Sequence, residues 1–76
     1  MAIVRNVQND ILYRYLGDNK YRNLSTGIDG IIKEDLAKKI FKINVEATEI
    51  LNEYPLVEKL ISSLNLKFDN NKNETK

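Results

Sequence analysis

Residues Ile11-Leu12-Tyr13-Arg14-Tyr15-Leu16-Gly17-Asp18-Asn19-Lys20-Tyr21-Arg22-Asn23-Leu24 set two runs of branched and aromatic side chains on either side of Gly-Asp-Asn. Such side chains suit a half-buried pleated surface, and Gly, Asp and Asn accept the left-handed backbone of a tight turn. The stretch reads as a β-hairpin. After it, Ser25-Thr26-Gly27 supplies a second break, and Ile28-Asp29-Gly30-Ile31-Ile32 a third short strand weakened by its internal glycine. A helix over Ile3 to Tyr15 competes with the hairpin, because Val4, Val7, Ile11 and Tyr15 also recur at helical spacing. The hairpin is preferred on composition, and residues 3–16 are where helix and strand compete most closely.

Further along, the period changes. From Lys33 to Lys42 the apolar positions Leu36, Ala37, Ile40 and Phe41 fall on one helical face. Glu34 and Asp35 in the first turn, with Lys38, Lys39 and Lys42 toward the end, suit the helix dipole. Asn44 can cap a second helix with Ala47, Ile50, Leu51 and Tyr54 on its apolar face. Pro55 then ends that helix and opens a third, whose face is Leu56, Val57, Leu60, Ile61 and Leu64. Asp69 to Lys76 contains no apolar side chain and is expected to be a flexible polar tail.

The first two of these helices have the outline of a helix-turn-helix, but the electrostatics oppose DNA reading. A recognition helix presents basic or amide side chains to bases and phosphates. Here the second helix offers Glu46, Glu49 and Glu53, with no basic residue from Val45 to Tyr54. Spaced i, i+3 and i+7, these carboxylates form an acidic stripe suited to a basic protein surface.

The 76 residues correspond to one domain, and 12 cations against 11 carboxylates leave a net charge of +1. No strong field for nucleic acid or an anionic membrane follows from that balance. Residues 1–24 are the basic part, with Arg5, Arg14, Lys20 and Arg22 against Asp10 and Asp18. There Tyr13, Tyr15 and Tyr21 interleave with the cations. Aromatic and cationic side chains on a sheet face can stack bases and grip a single strand, but Tyr13 and Tyr15 share a face opposite Leu12, Arg14 and Leu16, so one of these two faces must be core.

Catalysis is disfavoured. The chain has no His and no Cys, so the commonest general base, metal ligand and thiolate nucleophile are missing. Glu34-Asp35, the adjacent acidic pair, reads as the stabilised first turn of a helix. Gly27-Ile28-Asp29-Gly30 matches a bare nucleic-acid-clamping Gly-x-x-Gly, yet its middle positions are Ile and Asp where phosphate would need cations. A turn or bulge is the simpler reading. Without disulfide or metal, so small a core also favours self-association or docking on a partner.

The sequence therefore predicts a small α+β domain over residues 1–68. An N-terminal β-hairpin or three-stranded meander packs on two or three short helices, followed by the tail at 69–76. The expected role is a non-enzymatic protein–protein interaction module, as accessory, inhibitor or assembly component, with Glu46, Glu49 and Glu53 as the protein-binding residues. Size and composition suit phage-like or mobile-element genes. The partner would be another protein or a second copy in a homo-oligomer; no cofactor, metal, small-molecule substrate or membrane is expected. One alternative is a nucleic-acid-binding regulator acting through Arg5, Arg14, Lys20, Arg22, Tyr13, Tyr15 and Tyr21, and another a structural subunit of a particle. The amino terminus lacks the 7–15-residue apolar run of a signal peptide, which points to the cytoplasm.

Overall fold

A computed structural model describes residues 2–44 and 53–69. The chain runs β1 (Ile3–Asn6), β2 (Leu12–Gly17), β3 (Lys20–Asn23), β4 (Asp29–Ile31), α1 (Glu34–Ile40), β5 (Phe41–Asn44), α2 (Tyr54–Ser62) and β6 (Phe68–Asp69). The strands form one six-stranded sheet in the order β4-β3-β2-β1-β5-β6. All pairs are antiparallel except β5 with β6, which are parallel and bracket α2.

Local chemistry explains the turns. Asp18 and Asn19 both take positive φ, 52° and 66°, between the paired residues Gly17 and Lys20. This is the two-residue hairpin turn whose twist matches that of the flanking strands. Gly17, with φ 93° at a register shift in β2, occupies backbone that a side chain would strain. Between β3 and β4, Asn23 Oδ1 accepts the Ser25 and Thr26 amides at 2.8 and 3.1 Å. Asn23 C=O takes the Gly27 amide at 2.7 Å. The Gly-x-x-Gly stretch is thus a turn glycine at φ 78° followed by a strand, with Gly30 opposite Tyr21.

Alternation sorts the side chains into two faces. Val4, Tyr13, Tyr15, Tyr21, Phe41 and Ile43 share the face that meets the helices, and their partner positions across the ladders confirm it. In a flat sheet β3 and β5 would lie three spacings apart, roughly 14 Å. The Tyr21 and Phe41 ring centroids are nevertheless 4.9 Å apart, so the sheet is strongly coiled around them. Tyr13 meets Phe41 at 5.2 Å and Tyr15 meets Tyr21 at 5.1 Å, which makes a continuous row of four rings. Ala37 and Ile40 from α1, and Val57 and Leu60 from α2, close over it. Past α2, Asn65 adopts φ 60° and the Leu66 amide reaches back to Leu60 C=O at 3.0 Å. This left-handed helix stop buries Leu60, Leu64 and Leu66 together.

The α+β class and the hairpin agree with the sequence, the competing helix drops out, and three expectations are corrected. The helix over Ile3 to Tyr15 does not form: β1 and β2 take that segment, separated by a turn in which Asn6 Oδ1 and Asn9 Oδ1 accept main-chain amides. The meander is four strands, β1 to β4, and it is extended by β5 and β6 into a six-stranded sheet. The first helix stops at Ile40, and Phe41–Asn44 pairs with β1 in place of a helix-turn-helix turn. Phe-Lys-Ile-Asn alternates at the period of a strand, and β1 offers it an unpaired edge. Leu36, assigned to the apolar face, lies half exposed as a result. Finally, Asp69 is not tail but the buried end of β6. Asn44 ends β5, and Tyr54, assigned to the apolar face of the second helix, instead opens α2 and is exposed; residues 45–52 of that expected helix and residues 70–76 lie outside the described part.

Leu60 is fully buried whereas Ile61 is 40% exposed. Leu60→Ala should therefore cost about 2–5 kcal/mol and Ile61→Ala less than about 1 kcal/mol, as read by urea denaturation of the two variants.

Candidate functional site

Two surfaces collect the side chains with chemistry to offer. The first is the sheet face turned away from the helices. Register places Arg14 of β2, Arg22 of β3 and Asp29 of β4 in one row, and Lys42 of β5, Arg5 of β1 and Leu12 of β2 in the next. Each arginine is matched to a carboxylate. Arg5 Nε donates to Asp69 Oδ2, and Arg5 Nη1 to Asp10 Oδ1 at 2.6 Å. Arg14 Nη2 donates to Glu53 Oε2 at 3.0 Å. Arg22 Nε and Nη2 donate to the two oxygens of Asp29 at 2.7 and 3.2 Å. The guanidinium beside it holds the Asp29 carboxyl below its ordinary range.

The sequence-derived candidates separate across the sheet. Arg5, Arg14, Lys20 and Arg22 lie on this outer face, while Tyr13, Tyr15 and Tyr21 lie on the opposite, helix-covered one. Odd and even strand positions point apart, so interleaving along the chain does not bring rings and cations onto one surface. Tyr15 and Tyr21 are buried, and Tyr13 packs half-buried against the core. Burial pushes the Tyr21 hydroxyl well above its ordinary value, with Tyr15 and Glu34 adding to the effect. For Tyr15, burial again comes first, then the charges of Asp18 and Glu34. Among the described residues the Tyr21 hydroxyl has no hydrogen-bond partner.

Of the acidic stripe, Glu46 and Glu49 fall outside the described residues. Glu53 stands just before α2 and is engaged within the fold: its Oε1 accepts the Ala2 amide at 2.8 Å while Oε2 holds Arg14. It tethers the start of α2 to the head of β1 and β2. Among the described residues no cluster of three metal-ligating side chains occurs, and no helix is long and apolar enough to cross a membrane.

The second surface is the outer edge of β4, which the sequence reading named as a strand without assigning it a role. β4 ends the sheet. Its hydrogen-bonding phase follows from its flanks, where Asn23 N–H bonds Ile28 C=O at 2.9 Å and Ile32 N–H bonds Asn19 C=O at 2.8 Å. Alternate residues point their main-chain groups to the same side. Ile28, Gly30 and Ile32 therefore face β3, whereas Asp29 and Ile31 direct their N–H and C=O groups outward. Ile28 and Ile31 are also the most exposed large apolar side chains among the described residues, at 68% and 63%. The sequence signal was the Ile-x-x-Ile pair around Gly30, but no local pattern says which strand will end a sheet.

Compared with known proteins, the chain matches no family model, no curated protein and no solved structure.

The buried tyrosines set an alkaline limit on the fold. Their folded-state pKa values lie above the ordinary 10.0, so their stabilising effect is complete below that pH and declines as pH rises past it. Tyr21→Phe should flatten that decline and, by deleting an unpartnered buried hydroxyl, raise stability by about 1 kcal/mol at pH 7; melts at pH 7 and 11 test both. On the outer face, Asp69→Ala should cost about 1.5–3 kcal/mol, because Asp69 is a buried acceptor for a guanidinium. Asp29→Ala, at a solvated pair, should leave the melting temperature nearly unchanged.

Proposed function

We propose that this chain is a protein-binding module without a catalytic role, which takes an extended segment of another protein onto the open edge of β4. The supporting observation is the outward row of main-chain groups at Asp29 and Ile31, flanked by exposed Ile28 and Ile31. Strand addition draws affinity from main-chain hydrogen bonds and selectivity from alternate side chains. Proteins usually blunt such an edge with lysine, proline or a covering element. None of these stands within β4 itself, whose sequence is Asp-Gly-Ile.

The edge is also held in place. The turn anchored by Asn23 and the Arg22–Asp29 pair fix β4 on β3, and Ile32 packs against the core directly behind it. A rigid edge loses little conformational entropy when a partner strand docks. Interaction through the acidic stripe is less well supported, since Glu53 is occupied by Arg14 and the Ala2 amide. The cationic surface is likewise committed, with Arg5, Arg14 and Arg22 each holding a carboxylate.

Ile31→Pro deletes one outward N–H and leaves the bonds to β3 intact, which an edge strand tolerates. Random peptides selected against the purified protein at low concentration should show alternating apolar residues, and should bind the proline variant at least about tenfold more weakly. Selection of no peptide, or of peptides indifferent to Ile31→Pro, overturns the proposal.

A further inference from the structure

The open edge of β4 is self-complementary in one register. In an antiparallel pair of identical strands related by a two-fold axis, the numbers of facing residues have a constant sum. Only residues whose main-chain groups point outward can form the hydrogen-bonded pairs, which here are Asp29, Ile31 and, by continued alternation, Lys33. Lys33 belongs to this set because its backbone is extended, with φ −66° and ψ 155°, before α1 begins.

The set allows five placements of the axis, on residues 29 to 33; the one on Ile32 pairs Ile31 only with Lys33, whose carbonyl already accepts two amides, and the one on Lys33 sets two ammonium groups opposite, which leaves three. Centred on Asp29, the pair sets two like carboxylates directly opposite, which is unfavourable. Centred on Gly30, it sets Asp29 against an isoleucine and leaves the central pair without side chains. Centred on Ile31, it stacks the exposed Ile31 side chains of both copies and faces each Asp29 with Lys33 of the other. Ile31 N–H and C=O then bond reciprocally, and each Lys33 N–H donates to Asp29 C=O across the interface. The Lys33 carbonyl is not required, and it already accepts the Leu36 and Ala37 amides at 3.1 and 2.9 Å.

Side-chain space agrees with this placement. On the other face, Gly30 of one copy meets Ile32 of the other, and open space surrounds Gly30. On the outer face, Asp29 accepts from Arg22 through both oxygens and retains lone pairs for a lysine.

We propose that two copies of this chain associate through β4, antiparallel and centred on Ile31, joining their sheets into one of twelve strands. The inference rests on the reading of β4 as a strand-accepting edge, and names a second copy as the occupant. Pairing of so short a segment is weak, so the free edge is exchanged for a partner's strand at low concentration and covered by self at high concentration.

The test is sedimentation of the whole chain from roughly 10 µM to 1 mM. The wild-type mass should rise from 8.8 kDa toward twice that value, while Ile31→Pro stays monomeric. Lys33→Asp should weaken association about tenfold by opposing carboxylates, and adding Asp29→Lys should restore it. Because aspartate suits the start of α1, Lys33→Asp keeps the test available should the proline variant prove unfolded by circular dichroism. The chain lacks cysteine, so register is read by oxidation: Ile31→Cys should cross-link into a disulfide dimer and Gly30→Cys should not. A monomer at 1 mM, a dimer indifferent to these substitutions, or preferential cross-linking of Gly30→Cys overturns self-pairing. Ile31→Pro-sensitive peptide binding by a strictly monomeric chain would overturn self-pairing alone; loss of both would overturn the edge reading as well.

Discussion

Strand β1 is four residues long, yet the fold depends on its being paired along both edges. β2 reaches one edge through a local turn, and β5 reaches the other only after the chain has passed through β3, β4 and α1. Both ladders meet at Val4, which faces Tyr13 on one side and Ile43 on the other. The second pairing closes a long loop, which costs entropy before it returns any burial. What repays it is that β5 places Phe41 and Ile43 on the concave face and adds a free edge for β6. Without the β1–β5 ladder, α2 would have only the hairpin and its own apolar stripe to pack against.

The same demand explains why the polar groups of the outer face are organised as pairs. Arg5 in the central strand joins Asp10 of the first turn to Asp69 at the end of β6, and Glu53 ties α2 to Arg14 and the Ala2 amide. Solvated ion pairs contribute little to stability. The half-buried pairs act mainly through geometry, because leaving either partner unmatched would be costly. They hold together segments that lie far apart in the chain: residues 2, 14 and 53 in one case, 5, 10 and 69 in the other. A chain without cysteine has few other means of tying its ends to its middle.

Short strands and strong coiling also account for the open edge. The sheet bends far enough to bring Tyr21 and Phe41 together, but with β4 and β6 as its termini it does not close. Closure removes edges altogether; an open sheet must cover, charge or use them. At β4 the exposed large side chains are Ile31 and the flanking Ile28, and the one charge, Asp29, is paired with Arg22, which is why the unpaired row there reads as a contact surface and not as a protected rim.

The sequence by itself determined the elements whose signals are local. The Asp18-Asn19 turn, the two strands around it, the acidic start and basic end of α1 and the Pro55-led third helical pattern all follow from short-range backbone and dipole chemistry. So did the absence of imidazole and thiol chemistry. The tertiary structure decided what depends on pairing between distant segments. Phe41–Asn44 became a strand because β1 offered an edge, and Asp69 became a buried partner because Arg5 lay beside β5. That tyrosines and arginines of β2 part to opposite faces follows from strand alternation in the sequence; which of the two faces became core was decided by the helices that cover the tyrosines. Strand order, and with it the identity of the open edge, was legible nowhere in the sequence, because the edge is defined by which segments fail to meet it, and no residue of β4 records that.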